Sequence, residues 1–355
     1  MKQFKKISML VAAALFIVAG LSSCGGSDDD KTTVDLTTLN SVVDSCTTVL
    51  NSATTAEYPQ TAITTFQTTL SSVKSAIADS GSLNQAAVNN LIAQLRVAAG
   101  TFAESAYDAI PADALTFALS FDEGTGTSLT TTGKYKWTAN LEKGPSEIFG
   151  TNTNYPSFID GKVGKAMYFS NGSHIEISDY SAAPLEGSKL SLACWVRPDS
   201  TRAGNYIISY NYWNSWKFNL QTENKPFFTV KTATGCTDMD NELDNSVPNK
   251  QWTFVVVSMD LTAGTVDFYI NGSLTKEWTA TEHTALTGSI ASYSTKLPLL
   301  IGVCTTYAEA SAWSWFSKDV QAWDSYIGAI DELQVYNIAL SAGQVTKLYK
   351  DETAE

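Results

Sequence analysis

Histidine is nearly absent: the 355-residue chain has two, His174 and His283. No His-Glu-x-x-His pair is present to seat a zinc ion on a helix, and neither histidine has a nucleophile motif beside it, so both read as satisfied surface side chains. Basic residues are scarce, 23 against 36 acidic ones, for a formal charge of −13. Such a surface repels nucleic acid and anionic lipid but tolerates neutral sugars and divalent cations. Charged residues make up only 17% and hydrophobic ones 44%, which excludes a disordered chain and leaves enough apolar material for more than one domain. The one strongly apolar run, Met9 to Leu21, is too short to span a bilayer comfortably.

That run follows Lys2, Lys5 and Lys6, and together they read as a secretory signal over residues 1–23. It ends in Leu21-Ser22-Ser23-Cys24, which resembles the bacterial lipobox. The resemblance implies that Cys24 is acylated and becomes the new N-terminus. Removing the signal takes away three lysines and no acid, leaving a charge of about −16. Residues 24–32 form an acidic tether. Its Gly25-Gly26-Ser27-Asp28-Asp29-Asp30 resembles the export tag of surface-exposed lipoproteins in Gram-negative gut bacteria with polysaccharide-utilisation systems, the alternative being a plain solvated linker. The expected location is therefore the outer membrane, lipid-anchored and exposed at the cell surface, among other polysaccharide-uptake proteins.

Residues 33–110 carry three apolar stripes at helical spacing. They are Leu36, Leu39, Val43, Cys46 and Leu50; then Ile63, Phe66, Leu70, Val73 and Ile77; then Val88, Leu91, Ile92, Leu95, Ala99 and Phe102. Pro59 is placed to open the second helix, and Ser82-Leu-Asn-Gln85 reads as a capping box opening the third. The pattern predicts a small antiparallel three-helix bundle with a weak resemblance to bacterial FIVAR-type modules. No chemistry is visible in it, and a spacer role is expected. Pro111 marks the junction.

From Leu115 the period becomes two: Leu115, Phe117, Leu119, Phe121. A series of motifs follows: Phe121-Asp122-Glu123-Gly124-Thr125-Gly126; Gly161-Lys-Val-Gly164-Lys-Ala166-Met-Tyr-Phe169; Leu190-Ser-Leu-Ala-Cys-Trp-Val-Arg-Pro198; Gln251-Trp-Thr-Phe-Val-Val-Val-Ser258; and Gly328-Ala-Ile-Asp-Glu-Leu-Gln-Val-Tyr336 before Asn-Ile-Ala-Leu-Ser341. In this order they resemble the laminin-G-like/concanavalin A-like jelly-roll domains. The resemblance covers residues 115–350 and implies a mostly β, two-sheet antiparallel jelly-roll sandwich preceded by the helical bundle. Asn271-Gly272 predicts a hairpin turn. In the closing strand, alternation places Ile327, Ala329, Asp331, Leu333 and Val335 on one face and Gly328, Ile330, Glu332, Gln334 and Tyr336 on the other.

Related sandwiches include glycoside hydrolases with a Glu-x-Asp-x-x-Glu strand, a spacing that sets acid and nucleophile on one face. The chain lacks it, so no catalytic residue is expected. The resemblance also implies one structural Ca²⁺ held by Asp122, the turn at Asn171-Gly172, and Asp331, although Ser170 stands where many members carry Asp. The alternative is that Asp331 simply accepts backbone N–H groups. The run Asp238 to Asp244, read as a loop, is a second candidate.

Sugar recognition needs flat apolar rings beside planar hydrogen-bonding groups. Two segments supply both: one with Tyr212, Trp213 and Trp216, the other an insertion running from Tyr307 with Trp313, Trp315 and Trp323. These are the candidate carbohydrate-binding residues, with Trp216 alternatively a core residue; Trp195 and Trp252 belong to the core pattern. Cys46, Cys194, Cys236 and Cys304 permit disulfides outside the cytoplasm, and Cys236 with Cys304 is the pairing to test. The expected function is a surface-anchored, non-catalytic carbohydrate-binding lipoprotein serving polysaccharide capture. The alternatives are an adhesin for a protein or host glycoconjugate, and an unusual glycoside hydrolase.

Overall fold

The computed structural model describes residues 34–55, 57–79, 83–314 and 324–353. The signal segment, Cys24 and the acidic tether lie outside them. The described residues form two units that divide after Tyr107.

The first unit is three helices, α1 (Thr37–Ser52), α2 (Gln60–Ala78) and α3 (Gln85–Glu104). Their apolar stripes meet in one core of Leu39, Val43, Cys46, Phe66, Leu70, Val73, Val88, Leu95, Ala99 and Phe102. Phe102 stacks on both Tyr58 and Phe66. Thr and Ser on the outer faces are weak helix formers, so this burial is what holds the helices. Pro59 precedes α2 as expected. Asn84 caps α3, its side chain accepting from Ala87 N at 2.9 Å; the expected cap Ser82 lies outside the described residues. Asn caps as well as Ser because its oxygen reaches the same orphan N–H groups.

The second unit is a sandwich of two antiparallel sheets that also carries the short helices α4 (Ser146–Phe149) and α5 (Tyr307–Ser311) and the closing helix α6 (Ala342–Thr353). The first sheet runs, in spatial order, β14 (Ser273–Thr279), β13 (Thr265–Ile270), β12 (Thr253–Asp260), β7 (Lys189–Pro198), β16 (Gly328–Tyr336), β5 (Lys165–Phe169) and β4 (Ser157–Asp160), with β1 (Leu115–Leu119) also paired to β16. The second runs β11 (Gly235–Asp240), β10 (Pro226–Thr232), β9 (Trp216–Leu220), β8 (Asn205–Tyr210), β15 (Leu299–Ile301), β6 (His174–Ile177), β3 (Thr138–Glu142) and β2 (Ser128–Thr130). Alternation drives the packing. Leu192, Cys194 and Val196 of β7 enter the inter-sheet core, while Ala193 and Trp195 face outward. The outer face of the first sheet is covered by the closing helix α6 (Ala342–Thr353), whose Val345, Leu348 and Tyr349 pack on Trp195, Phe254 and Tyr269.

The closing strand departs from simple alternation. β16 pairs with β5 over Gly328 to Ile330 and with β1 from Leu333 to Tyr336, and a bulge falls between Asp331 and Gln334. Glu332 there takes a left-handed φ of 46°. The extra residue shifts the period, so Ile330 joins Leu333 and Val335 in the inter-sheet core, and Gln334 and Tyr336 face α6. Asp331 is fully buried at the bulge. Its Oδ2 accepts from Lys162 N (2.8 Å) and Val163 N (2.9 Å), and its Oδ1 from Glu332 N (2.8 Å).

α6 is latched by a carboxylate. Glu352 accepts from Trp195 Nε1 (2.7 Å) and Gln334 Nε2 (2.6 Å), and Tyr336 donates to Gln334 in turn. Burial pushes the Glu352 carboxyl up to about 8, and burial beside Asp331 pushes Glu332 up to about 7. Each therefore holds its proton more tightly folded than unfolded. Their contribution is complete below the ordinary Glu value of 4.5 and is lost as pH rises toward about 8. Replacing Glu352→Gln should flatten this dependence. Urea titrations at about pH 5 and pH 8 should show wild type losing on the order of 2 kcal/mol more than the variant over that interval. Equal losses would mean that Glu352 is not the titrating group.

Candidate functional site

The calcium expectation can be compared with geometry directly. Asp122 follows β1, and its Oδ1 accepts from Lys165 N at 2.8 Å. Asp331 binds N–H groups of the same Gly161–Lys165 turn, so the two carboxylates do converge. The glycines make room for them: a Cβ on Gly161 would lie 2.5 Å from Asp331 Oδ2, and one on Gly164, with φ of 54°, 2.1 Å from Asp122 Oδ1. Asn171, however, lies past the other end of β5, roughly 20 Å along the strand. Its amide donates to Asn152 O (3.0 Å) and Asn154 Oδ1 (3.2 Å). The three proposed ligands therefore do not meet, and the two aspartates point at donors rather than at a cation cavity.

The second candidate is not a simple loop either. Asp238 and Asp240 belong to β11. Asp238 accepts from Thr229 Oγ1, Lys225 pairs with Asp240 and Asp244, and Lys276 pairs with Glu242. Lysines thus occupy the place of a divalent ion. No group of three or more His, Cys, Asp or Glu side chains among the described residues is arranged to hold a metal.

The aromatic residues sort themselves by parity on the second sheet. Trp216, Phe218 and Leu220 of β9 enter the inter-sheet core, and Lys217 and Asn219 point outward. Trp216, expected to touch ligand, is thus a core side chain, fully buried, with Nε1 donating to Leu185 O at 3.0 Å. Just before it the chain turns sharply. Asn211 and Tyr212 both have left-handed φ, 55° and 41°. For tyrosine this is an unfavoured conformation, held here by its surroundings. The turn lifts Tyr212–Asn214 over the outer face, and Ser215 ties the return, its Oγ donating to Ala291 O at 2.8 Å and its carbonyl accepting from Lys231 N at 2.7 Å.

What would be an open sheet face is thereby roofed. One register row crosses all eight strands, from Ser128 through Asn140, Glu176, Leu300, Ser209 and Lys217 to Thr229 and Asp238. Its ends are exposed, but from Leu300 to Thr229 it is buried. The short helix α5 (Tyr307–Ser311) covers part of it, with Tyr307, Ala310 and Trp313 packed on Leu300 and Val303. Thr306 caps that helix, accepting from Glu309 N. Glu309 then accepts the Tyr212 hydroxyl proton at 2.8 Å, which joins the two aromatic segments. Burial, followed by this bond, raises the Tyr212 phenol well above its ordinary value.

The result is a cluster of tilted rings. Trp313 lies 5.5 Å from Tyr212 and 6.3 Å from Trp213, with Tyr293 6.2 Å from Tyr212. Only Trp213 of this group is openly exposed, at 37%; Trp313 and Tyr293 are half-buried and Tyr212 is buried. Asn214 is adjacent and half-buried. Of the residues named from sequence the structure brings together Tyr212, Trp213 and Trp313, and it adds Tyr293, Tyr206 and Lys217, which sequence did not single out. Lys217 had a usable signal: a charge between Trp216 and Phe218 in a strand must face outward. Tyr293 had none. Trp315 and Trp323 lie outside the described residues.

The remaining chemistry is modest. His174 is buried, not at the surface, with Nδ1 2.9 Å from Gly172 O; His283 Nδ1 lies 2.8 Å from Thr237 Oγ1. Cys46, Cys194, Cys236 and Cys304 are all free.

Two outcomes follow from this sorting. Trp216→Ala should lower stability by about 3–5 kcal/mol in chemical denaturation, and Trp213→Ala by less than about 1. Similar costs would contradict the separation of the buried Trp216 from the exposed Trp213. A calcium titration against a chelator blank should leave the melting temperature unchanged; a rise with calcium would contradict this reading and make Asp122 and Asp331 the first ligands to test.

Among curated proteins none matches the chain. Among solved structures, domain 4 of AbnA, a GH43 extracellular arabinanase from Geobacillus stearothermophilus in complex with arabinotriose, is similar at 20% identity and TM-score 0.46, covering 66% of this chain and 98% of that one. The binding domain of botulinum neurotoxin DC, in complex with rat synaptotagmin II, aligns at 15% identity and TM-score 0.46, covering 68% of this chain and 52% of the toxin chain. The binding domain of Paraclostridial Mosquitocidal Protein 1 aligns at 16% and 0.43, covering 65% and 52%. The chain thus spans about half the length of those toxin domains. The Laminin_G_3 family, described as the concanavalin A-like lectin/glucanases superfamily, matches residues 169–346, and with two antiparallel sheets built on that family's motifs the chain belongs to it.

Proposed function

We propose that this protein is a non-catalytic carbohydrate-binding protein whose ligand stacks on Trp213. The observation that carries the reading is the placement of Trp213. An indole 37% exposed stands on a braced turn above a lectin-type sheet, with Trp313 beside it, Asn214 next in the chain, and Tyr293 and Glu309 against the neighbouring Tyr212. Aromatic faces bind the C–H face of a sugar ring, and fixed amide and carboxylate groups at the rim select its hydroxyls. The rings are tilted to one another by 56° and 66°, which presents a corner rather than a flat strip. The membership of a lectin/glucanase superfamily supports the same reading.

The N-terminal sequence supports a cellular setting for it. We infer lipidation at Cys24 and display at the outer membrane surface, with the helical unit as spacer and other polysaccharide-uptake proteins as neighbours. Calcium is not invoked in this reading.

Affinity electrophoresis against soluble arabinan, xylan, glycogen and galactomannan tests the function. Wild type should be retarded by at least one polymer, and Trp213→Ala should weaken that retardation by at least about tenfold in apparent dissociation constant. Retention equal to wild type would remove the platform from the site. Binding to no polymer, with tight capture of a folded protein partner, would favour an adhesin. Release of reducing sugar by the purified protein would establish a hydrolase instead.

A further inference from the structure

The outward-facing side chain of β9 sits directly beneath the platform. Lys217 is 2% exposed. Its ammonium lies 4.7 Å from the ring centroid of Phe227, 5.3 Å from Trp213 and 5.5 Å from Tyr206. It donates to Asn219 Oδ1 at 3.3 Å. Among the described residues, no carboxylate oxygen lies within ion-pair distance of it.

A buried ammonium without a paired carboxylate is costly, and a methionine would fill the same space without that cost. What compensates here is the negative face of each surrounding ring, and that compensation depends on orientation. Phe227 and Tyr206 belong to strands β10 and β8 and are fixed by the sheet. Trp213 belongs to a three-residue turn entered through two left-handed residues, so its indole is the ring with freedom to turn away. Turning away would leave the charge with poorer solvation.

We propose that Lys217 is the positioning residue of the platform: its ammonium, seated under one face of Trp213, fixes the plane whose other face receives the sugar ring. The proposal deepens the carbohydrate-binding reading and rests on it for the role of that other face.

The groups facing Lys217 come from three directions. Asp238 and Cys236 approach from β11, Cys304 from the segment after β15, and Tyr206 from β8. Burial lowers the proton affinity of Lys217, and Cys304, Asp238 and Cys236 partly oppose the effect. Burial also pushes Cys304 up to about 12 and Tyr206 well above its ordinary value, so neither ionises before the ammonium. Cys236 is raised by burial as well. The ammonium should therefore lose its proton below the ordinary lysine value of about 10.4, and its hold on the indole should go with that proton.

Tryptophan emission of the full-length protein, followed from about pH 8 to 11, tests this without any ligand. A component with a midpoint below about 10.4 should appear in wild type and be missing from both Trp213→Phe and Lys217→Met. Lys217→Met should be at least as resistant to urea as wild type, since it removes a buried charge that no carboxylate among the described residues pairs with. It should nevertheless bind the tightest of arabinan, xylan, glycogen and galactomannan about tenfold more weakly. An emission profile in Lys217→Met identical to wild type would overturn the proposal, as would unchanged polymer binding. Parallel loss of stability and binding would also overturn it, because the role would then be merely structural. Should Lys217→Met fail to fold, the comparison of wild type with Trp213→Phe still decides whether a titrating group sits under that indole. If no polymer binds wild type, the carbohydrate reading falls while the emission profile still decides the contact.

Discussion

A buried carboxylate given backbone N–H groups in place of water holds the seam of the sandwich. Asp331 sits where β16 changes partner from β5 to β1, a place where sheet hydrogen bonding is interrupted. Three N–H groups converge on it, two from the turn that leads into β5 and one from its own bulge. Burial pushes its carboxyl up to about 6 against the pull of those donors. Leaving the donors without an acceptor would cost about as much as losing several ordinary hydrogen bonds. Gly161, the bulge and the left-handed Glu332 all accommodate this one side chain, and Gly164 does the same for its neighbour Asp122. So does the outward turn of Gln334, which places it to hold Glu352 and the closing helix.

This is also where sequence reading was both strongest and weakest. The motif Gly328 to Tyr336 announces a closing strand, and the oddity of Asp331 on an apolar face is visible in it. Alternation alone then assigns Ile330 to the wrong side, because a bulge changes the phase of a strand without changing its composition. The helical unit was legible almost to the residue, since its helices are packed by stripes of period 3.6 and little else. Likewise, convergence of Asp122 and Asp331 could be anticipated from neighbouring strands. Whether they meet a cation or backbone N–H groups stayed open between two alternatives, because amide donors in a glycine turn leave no trace in side-chain identity.

The tryptophan-rich segments divide for a comparable reason. Trp216 and Trp213 stand three residues apart, yet one fills the core and the other stands in solvent. The difference lies in the backbone between them. Two left-handed residues carry the chain off the sheet, and Ser215 brings it back in register for β9. Composition marks both segments as aromatic; only parity within β9 marks Trp216 as inward, and that parity becomes readable once the strand's start is known. Trp313 shows the converse. It comes from an insertion about 100 residues further on, and only the three-dimensional closure of α5 over the sheet brings it to Tyr212.

Roof and platform are best understood as one device. A half-open sheet face carrying Ser209, Lys217 and Thr229 would be well hydrated and would need no cover. Covering it removes water from polar groups, an unfavourable step unless the covering residues supply compensating contacts. The rings of Trp213, Tyr206 and Phe227 do this for the ammonium, and Asn219 does it by hydrogen bonding. Such compensation requires particular ring planes, so the desolvated lysine converts a surface turn into a rigid one. A binding surface with its aromatic plane already fixed loses less entropy on meeting a ligand than a free indole would. In the proposed reading the roof over the sheet does not compete with recognition for the same residues; it is the means by which an exposed tryptophan is kept in one orientation.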